Sequence, residues 1–436
     1  MRNRIEEYPD YLQRLFPQKY VPGEDKILAK TITFQVTDGC NLACTYCYQI
    51  NKHHNFMDFE TAKEFIDILL ADKNPYINTK NSPGIIIEFI GGEPLLAIDL
   101  IDKITDYFVT KMIELDHPWA TRFMLSMCSN GVLYFEPKVQ EYLQKNRYWL
   151  SFSVSIDGNK KLHDTCRVFP DGSGSYDMAI AAAKDYMQKF SKECGSKMTL
   201  SPQNVAYTCE AVENLIDLGY KQIFLNCAYE EGWTAENATT LYYQLKKLSD
   251  YILKNDLEDE LYISMFENDI GTRMLPEDND NWCGGNGNMI AVDYKGDIYP
   301  CLRFMESSIG DEMKPPIIGT VKGGIMSTPE QVECVNCLKC VTRRSQSTDE
   351  CFDCPIAKGC GWCTAYNYQT FGTFDRRATF ICKMHQARIL ANCYFWNSCY
   401  LKHKNNNAFR MNVPDEWALQ IIDEDELNYL KKIARE

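Results

Sequence analysis

The chain has 436 residues, 45% of them hydrophobic and 24% charged, an ordinary globular composition in a chain too long for a single core. Lys plus Arg number 46 against 60 Asp plus Glu, and the net charge of −14 repels phosphate backbones, which argues against nucleic acid as a partner. No apolar run reaches the roughly 18 residues that span a bilayer, and the opening MRNRIEEYPDYLQRLF has no export signal, so a cytoplasmic protein with no membrane partner is expected.

The first strand-like run, TITFQVT at 31–37, precedes the helical FETAKEFIDILLA, and GIIIEFI (84–90) precedes LLAIDLIDKITDYFVTKMIEL, whose apolar residues recur every three or four positions. RFMLSMC (122–128) leads to PKVQEYLQKN, WLSFSVSI (149–156) to YDMAIAAAKDYMQKF, KMTLS (197–201) to AVENLIDLGY, and QIFLNCA (222–228) to NATTLYYQLKKLSDYILKN. Six strand–helix units in a row predict a parallel sheet, and six are too few for an eight-fold barrel, so a partial (β/α)6 barrel within the α/β class is expected. After residue 270 turn formers and cysteines replace this alternation. The expected division is an extension at 1–30, the barrel at 31–270, a cysteine-rich domain at 271–400, and a tail at 401–436. DEDELNYLKKIARE should close that tail as a helix whose acidic start and basic end suit the helix dipole.

Twenty cysteines are the outlier. In a large chain without an export signal they point to metal or cluster binding rather than disulfides. Three stand at 40–47, ten between 283 and 382, and seven (128, 166, 194, 209, 227, 393, 399) are scattered in apolar or helical context as buried small hydrophobes. Cys40, Cys44 and Cys47 form a C-x3-C-x2-C run directly after the first strand. Three thiolates on a four-iron cube leave one iron open to a small molecule, whereas a closed zinc site takes four protein ligands. The run lies where βα barrels place their chemistry, at the C-terminal ends of the strands.

With Tyr46 before its last cysteine, this run resembles the signature of the radical S-adenosylmethionine (radical SAM) enzymes. The resemblance implies that the open iron binds the amino and carboxylate groups of S-adenosylmethionine. Reductive cleavage, fed by an external electron donor, then yields a 5′-deoxyadenosyl radical that removes a substrate hydrogen. Further motifs follow at successive strand ends. Gly91-Gly92-Glu93-Pro94 is similar to the family's GGEP, with glycines for close approach and a carboxylate for the cofactor ammonium. Ser129 and Asn130 end the third strand, and Ser155 and Asp157 the fourth, offering groups suited to ribose hydroxyls. In HDTCR (163–167), Arg167 is placed to meet the cofactor carboxylate.

The C-terminal cysteines resemble the SPASM extension of radical enzymes that act on peptides and proteins, which implies two auxiliary 4Fe–4S clusters and three in all, about twelve irons per chain. By that pattern Cys351, Cys354, Cys360 and Cys382 hold the outer cluster, and Cys283, Cys301 and Cys363 the inner one. The last pair of the 351–363 run is spaced x2 where the family has x3. Two zinc sites are the alternative for this region, as is a non-catalytic zinc-binding interaction protein for the whole chain. In CVNCLKC, one of Cys334, Cys337 and Cys340 could complete the inner cluster; an open cluster, a small metal site and inert thiols also remain open.

The pattern covers residues 31 to about 385 and most resembles peptide maturases whose precursors carry repeated Cys-x-x-x units. It implies a Cys-containing precursor peptide as partner and a thioether as product, with carbon–carbon crosslinking, epimerisation and sulfatase activation as alternatives. Sulfatase activators typically have Asp after the cysteine of GDIYPC; here Leu302 and Arg303 follow, which counts against formylglycine chemistry. About 30 residues precede the first strand, fewer than fold unaided, so leader recognition is expected on another surface or a separate protein. His53 and His54 read as solvated, and YFWNSCY (394–400) as core.

Overall fold

The computed structural model describes residues 29–190, 194–229, 232–310, 312–404 and 408–434. Apart from its last two residues, the expected N-terminal extension therefore lies outside the described residues. All six expected strands form, each followed by its helix. In chain order they are β1 (Lys30–Gln35), α1 (Phe59–Leu70), β2 (Ile85–Ile90), α2 (Ile98–Glu114), β3 (Phe123–Ser129), α3 (Pro137–Lys145) and β4 (Leu150–Val154). Next come α4 (Lys160–Cys166), α5 (Tyr176–Phe190), β5 (Gly195–Leu200), α6 (Thr208–Asp217), β6 (Gln222–Cys227) and α7 (Ala235–Lys254). Beyond the sixth unit lie β7 (Tyr262–Ile263), β8 (Met289–Val292), β9 (Asp297–Tyr299), β10 (Gly319–Thr320), β11 (Gly324–Ile325) and α8 (Pro329–Cys340). The longer helices that end the chain are α9 (Thr364–Phe371), α10 (Cys382–His403) and α11 (Glu424–Ile433).

The described chain falls into two compact units. One holds the chain up to Ala43 with Cys47–Ser153 and Trp282–Val341, and the other holds Cys44–Tyr46, Val154–Asn281 and Thr342–Glu436. In the first unit the strands run in the order β11-β10-β9-β8-β1-β2-β3-β4. β1 pairs in parallel with β2 (Phe34 opposite Phe89) and β2 with β3, so their C-terminal ends share one edge. On its other side β1 pairs in parallel with β8, Ile32 opposite Ile290, so a strand from beyond the composition boundary near 270 joins the sheet of the first half. Buried β1 carries β-branched and aromatic residues on both faces, as a parallel strand covered on both sides should. Phe34 meets Phe65 of α1 edge-to-face at 5.3 Å. α1 starts at an Asp58 cap that accepts from the Thr61 amide (2.7 Å), and it buries Ala62, Phe65, Ile66, Leu69 and Leu70, a single helical stripe.

In the second unit β5, β6 and β7 pair in parallel. α7 opens on a Thr234/Asn237 capping box. It packs along α10, whose buried Cys393, Tyr394, Phe395 and Cys399 make YFWNSCY core as expected. The terminal helix forms as α11, capped by Asp423 and tied to α7 through Lys246 Nζ and Glu426 Oε1 (2.7 Å). Among the described residues of the first half, periodicity does not predict the α-helix α4, short and polar, in the stretch that carries HDTCR.

Candidate functional site

The loop after β1 is pinned before it reaches its first cysteine. Thr37 Oγ1 donates to the Asn55 carbonyl (2.6 Å) and accepts from the Gly39 amide (3.0 Å), and the Asp38 carboxylate accepts from the Asn55 amide (2.6 Å). Cys40 Sγ then accepts from the Leu42 amide at 3.4 Å and lies 4.0 Å from Asn130 Nδ2. Asn130 Nδ2 also donates to Asn41 Oδ1 (2.7 Å), which ties the end of β3 to the residue after Cys40. The two glycines after β2 make the close approach possible. A Cβ on Gly92 would stand 2.2 Å from the Gly39 carbonyl oxygen and 2.8 Å from Cys40 Cβ, and one on Gly91 would stand 2.8 Å from Thr37 Cγ2. Only glycine lets the β2 turn lie against the cysteine loop.

Glu93 caps the short helical turn Pro94–Ala97 and is 1% exposed. Its carboxylate accepts from the Leu95 amide (3.0 Å), the Ser129 hydroxyl (2.8 Å) and the Asn130 amide (2.8 Å). Glu93, Ser129 and Asn130, expected separately as cofactor-binding residues, are thus one hydrogen-bonded group beside Cys40. Asn41 was not expected; a polar residue between cysteines gives no sign of a partner across the sheet.

In the second unit a further group forms around Asp157, which is fully buried. Arg167 Nε donates to Asp157 Oδ2 (2.9 Å), and the Tyr46 hydroxyl donates to the same oxygen. Burial pushes the Tyr46 phenol well above its usual range, so it keeps the proton it donates. The Cys44 thiol is near enough to act electrostatically on both Tyr46 and Arg167, and the Thr45 amide donates to the Cys166 carbonyl (3.0 Å). Ser155 is half-buried between β4 and Asp157. His163, also not expected, accepts from the Asp157 amide through Nδ1 (3.3 Å), and its Nε2 lies 3.0 Å from Ser175 Oγ. Ser175 Oγ in turn donates to the Arg167 carbonyl (2.8 Å). Burial, with help from the Arg167 charge, pushes His163 down to about 4, so the ring is neutral and Nε2 carries the hydrogen.

The cysteines expected to hold the outer cluster gather in the second unit. Burial raises the thiols of Cys354, Cys360 and Cys382, and each also feels its neighbours in the set, Cys351 included. Arg377, another residue the motifs did not single out, sits among them. Its Nη2 lies 3.0 Å from Cys360 Sγ and donates to the Gly361 carbonyl (3.2 Å), while its guanidinium stacks 4.6 Å from the Trp362 ring. Burial would lower its pKa, but Cys360, Cys351 and Cys382 raise it beyond the usual value. A half-buried guanidinium among four thiols fits a cluster whose thiolates are anionic. Among the described residues no three His, Cys, Asp or Glu side chains converge on a single ion. A four-iron cube, by contrast, takes its thiolates at separate corners.

In the first unit Cys283 and Cys301 are buried, and Gly285 between them lies so near that a Cβ there would be 3.3 Å from Cys301 Sγ. Cys363 belongs to the second unit and caps α9. Arg303, in the turn after Cys301, stacks 4.9 Å from the Tyr48 ring. Of the seven scattered cysteines, Cys166, Cys194, Cys209, Cys393 and Cys399 are buried as expected, while Cys128 and Cys227 are partly exposed. His53 and His54 are exposed. Among the described residues no helix is long and apolar enough to cross a membrane.

Residues 30–180 match the family described as a 4Fe-4S single cluster domain. An uncharacterized protein of Methanocaldococcus jannaschii is 30% identical over 277 residues, 62% of this chain and 84% of that protein. Mycofactocin maturase MftC of Mycolicibacterium smegmatis is 24% identical over 357 residues, 78% of this chain and 79% of the maturase. Among solved structures, native anSMEcpe with bound AdoMet and Cp18Cys peptide aligns with a TM-score of 0.61 at 17% identity, over 86% of this chain and 99% of that one. That likeness shows the fold.

Proposed function

The chain belongs to the radical SAM enzymes with a SPASM-type C-terminal region, and from that premise we propose that it matures a ribosomally made, Cys-containing peptide by closing a thioether crosslink. The observation that carries this reading is that one chain holds both a three-cysteine loop, braced by glycines and amides, and a separate set of four half-buried thiols around Arg377. The first arrangement suits a cluster with an open iron, the second a closed cluster that passes electrons. The relation to a maturase, over most of both chains, favours a peptide as substrate.

When bound, S-adenosylmethionine and the cluster held by Cys40, Cys44 and Cys47 supply a carbon radical able to remove a hydrogen atom from a peptide carbon. The chain's own residues orient the cofactor. Gly91 and Gly92 keep the β2 turn close to the loop, Pro94 starts the turn that Glu93 caps, and Glu93, Ser129 and Asn130 form one polar face. Ser155 lies beside the second group, where Asp157 fixes Tyr46 and Arg167 so that the guanidinium can meet a carboxylate. For a thioether the balance is simple. The peptide carbon gives up one hydrogen atom, the cysteine sulfur loses its proton as the carbon–sulfur bond forms, and one electron is left over, which a cluster held by Cys351, Cys354, Cys360 and Cys382 would take up. Each cleavage would draw one electron from an external donor, and the setting of the reaction is the cytoplasm.

The test is an anaerobic reaction of the reconstituted enzyme with a precursor encoded beside it, ideally one with regularly spaced cysteines. Loss of two hydrogens together with loss of an alkylatable thiol supports the thioether. The same mass loss with the thiol retained means a carbon–carbon crosslink, and unchanged mass with inverted configuration means epimerisation. Conversion of a sulfatase peptide to formylglycine would overturn the reading drawn from Leu302 and Arg303.

A further inference from the structure

The helix that carries CVNCLKC has one face turned inward. α8 opens on a Thr328/Gln331 capping box and buries Val335 and Leu338. At about 100° per residue, Cys334 lies about 70° from the centre of that buried face, Cys337 about 130° and Cys340 about 170°. Exposure follows the same order: Cys334 is partly buried, and Cys337 and Cys340 are exposed.

α8 packs against the turn Gly284–Asn286, which directly follows Cys283. On the same side, Tyr76 is held by its hydroxyl donating to the Met289 carbonyl (3.0 Å). Burial raises the Tyr76 phenol, and the two thiols acting on it are Cys301 and Cys334. Cys283, Cys301 and Cys334 therefore border one region of the first unit. Two cations border it as well. Lys30, 8% exposed, donates from Nζ to the Tyr76 carbonyl (2.6 Å) and lies 5.4 Å from the Tyr76 ring. Burial, with help from the nearby charge of Lys339 on α8, lowers Lys30 to about 8. Two lysines beside three thiols suit an anionic cluster.

We propose that Cys334 is a ligand of the inner auxiliary cluster, joining Cys283 and Cys301. The proposal rests on the family reading that assigns Cys283 and Cys301 to that cluster. Cys334 then adds a third thiolate from the first unit to that cluster.

The experiment starts from a chain in which Cys40, Cys44 and Cys47 are all alanine, so that only auxiliary irons remain, about eight per chain after anaerobic reconstitution. Adding Cys334→Ala should change the electron paramagnetic resonance spectrum of the reduced clusters and leave one cluster prone to lose an iron on oxidation. Cys337→Ala and Cys340→Ala should leave the spectrum as it was. An unchanged spectrum and iron content in Cys334→Ala overturns the proposal, as does a change confined to Cys337→Ala or Cys340→Ala. If the starting chain binds zinc or no iron, the family reading of the auxiliary cysteines fails, a different result from failure of Cys334 alone. Should Cys334→Ala not fold, alkylation of the unsubstituted holoprotein followed by mass mapping decides. Cys334 should react about tenfold slower than after iron is stripped, while Cys337 and Cys340 react alike in both states. Equal reactivity of Cys334 in both states overturns the proposal.

Discussion

The surroundings of Cys40 and of Cys360 differ in charge. Cys40 Sγ meets the Leu42 amide and, farther off, the Asn130 amide group. Cys360 Sγ meets the guanidinium of Arg377, which stacks on Trp362 and responds to three thiols of its set. Neutral donors can steady a sulfur without competing for a charged cofactor that has yet to arrive. A fixed cation among four half-buried thiols offsets the charge they carry as thiolates. Under the proposed function, the contrast would separate a place that receives a ligand from one whose cluster is complete.

The largest effect should come from closing the receiving side. Gly92→Ala drives a Cβ against the Gly39 carbonyl, and backbone cannot swing aside as a flexible side chain can. Displacement of the cysteine loop by a fraction of an ångström to an ångström should lower the rate of S-adenosylmethionine cleavage about 100-fold, measured as 5′-deoxyadenosine released. A rate within a few-fold of the parent would mean that the turn and the loop are not positioned together. Glu93→Gln comes next. The carboxylate accepts three hydrogen bonds, and an amide nitrogen in its place faces a donor. One buried donor left unsatisfied costs about 1–3 kcal/mol, and if that distortion falls on the cofactor face, affinity for S-adenosylmethionine should drop about fivefold or more by equilibrium dialysis while iron content holds.

The residues that place the site are unequally legible in the sequence. The six strands are runs of β-branched and aromatic residues between turn formers, and each appears within a few residues of its expected position. The cysteines and GGEP are legible because a cluster restricts both residue type and spacing. The pairing of β1 with β8 is not legible, because nothing local in MIAV states which distant strand it will join. The partners that hold the chemistry in place escape for the same reason. Asn41, His163 and Arg377 are ordinary polar residues until the fold brings Asn130, Asp157 and Cys360 to them. α4 escapes because seven residues are too few to show a helical period.

Arg377 tests the other side of the comparison with a smaller expected effect. Arg377→Met keeps much of the contact with Trp362 and removes the charge. The reduced cluster is the more negative state, so the outer cluster should keep its iron and become harder to reduce, and Arg377→Lys should recover part of the difference. A spectroscopic redox titration reads this directly in the chain lacking Cys40, Cys44 and Cys47. An unchanged potential in Arg377→Met would remove the electrostatic half of the contrast.

The smallest effect concerns acid, and each side contributes one histidine. His163 supports Asp157 and the Arg167 carbonyl, while His385 lies one turn along α10 from Cys382 and donates from Nε2 to the Ile356 carbonyl (2.8 Å). Burial pushes both down to about 4. In the unfolded chain each takes a proton near about 6.5, so between that value and about 4 the unfolded state binds more protons than the folded one. These two groups therefore leave stability untouched above about pH 6.5, weaken it steadily as pH falls, and add no further loss below about 4. Their combined slope approaches two protons, about 2.7 kcal/mol per pH unit at its steepest. His163→Gln keeps an acceptor for the Asp157 amide and a donor for Ser175 but cannot be protonated in this range. It should remove about half of the slope of urea-unfolding free energy against pH, and His385→Gln the other half. If neither substitution flattens the slope, the two rings are not held neutral, and the acid sensitivity of the chain has to come from its carboxylates and thiolates instead.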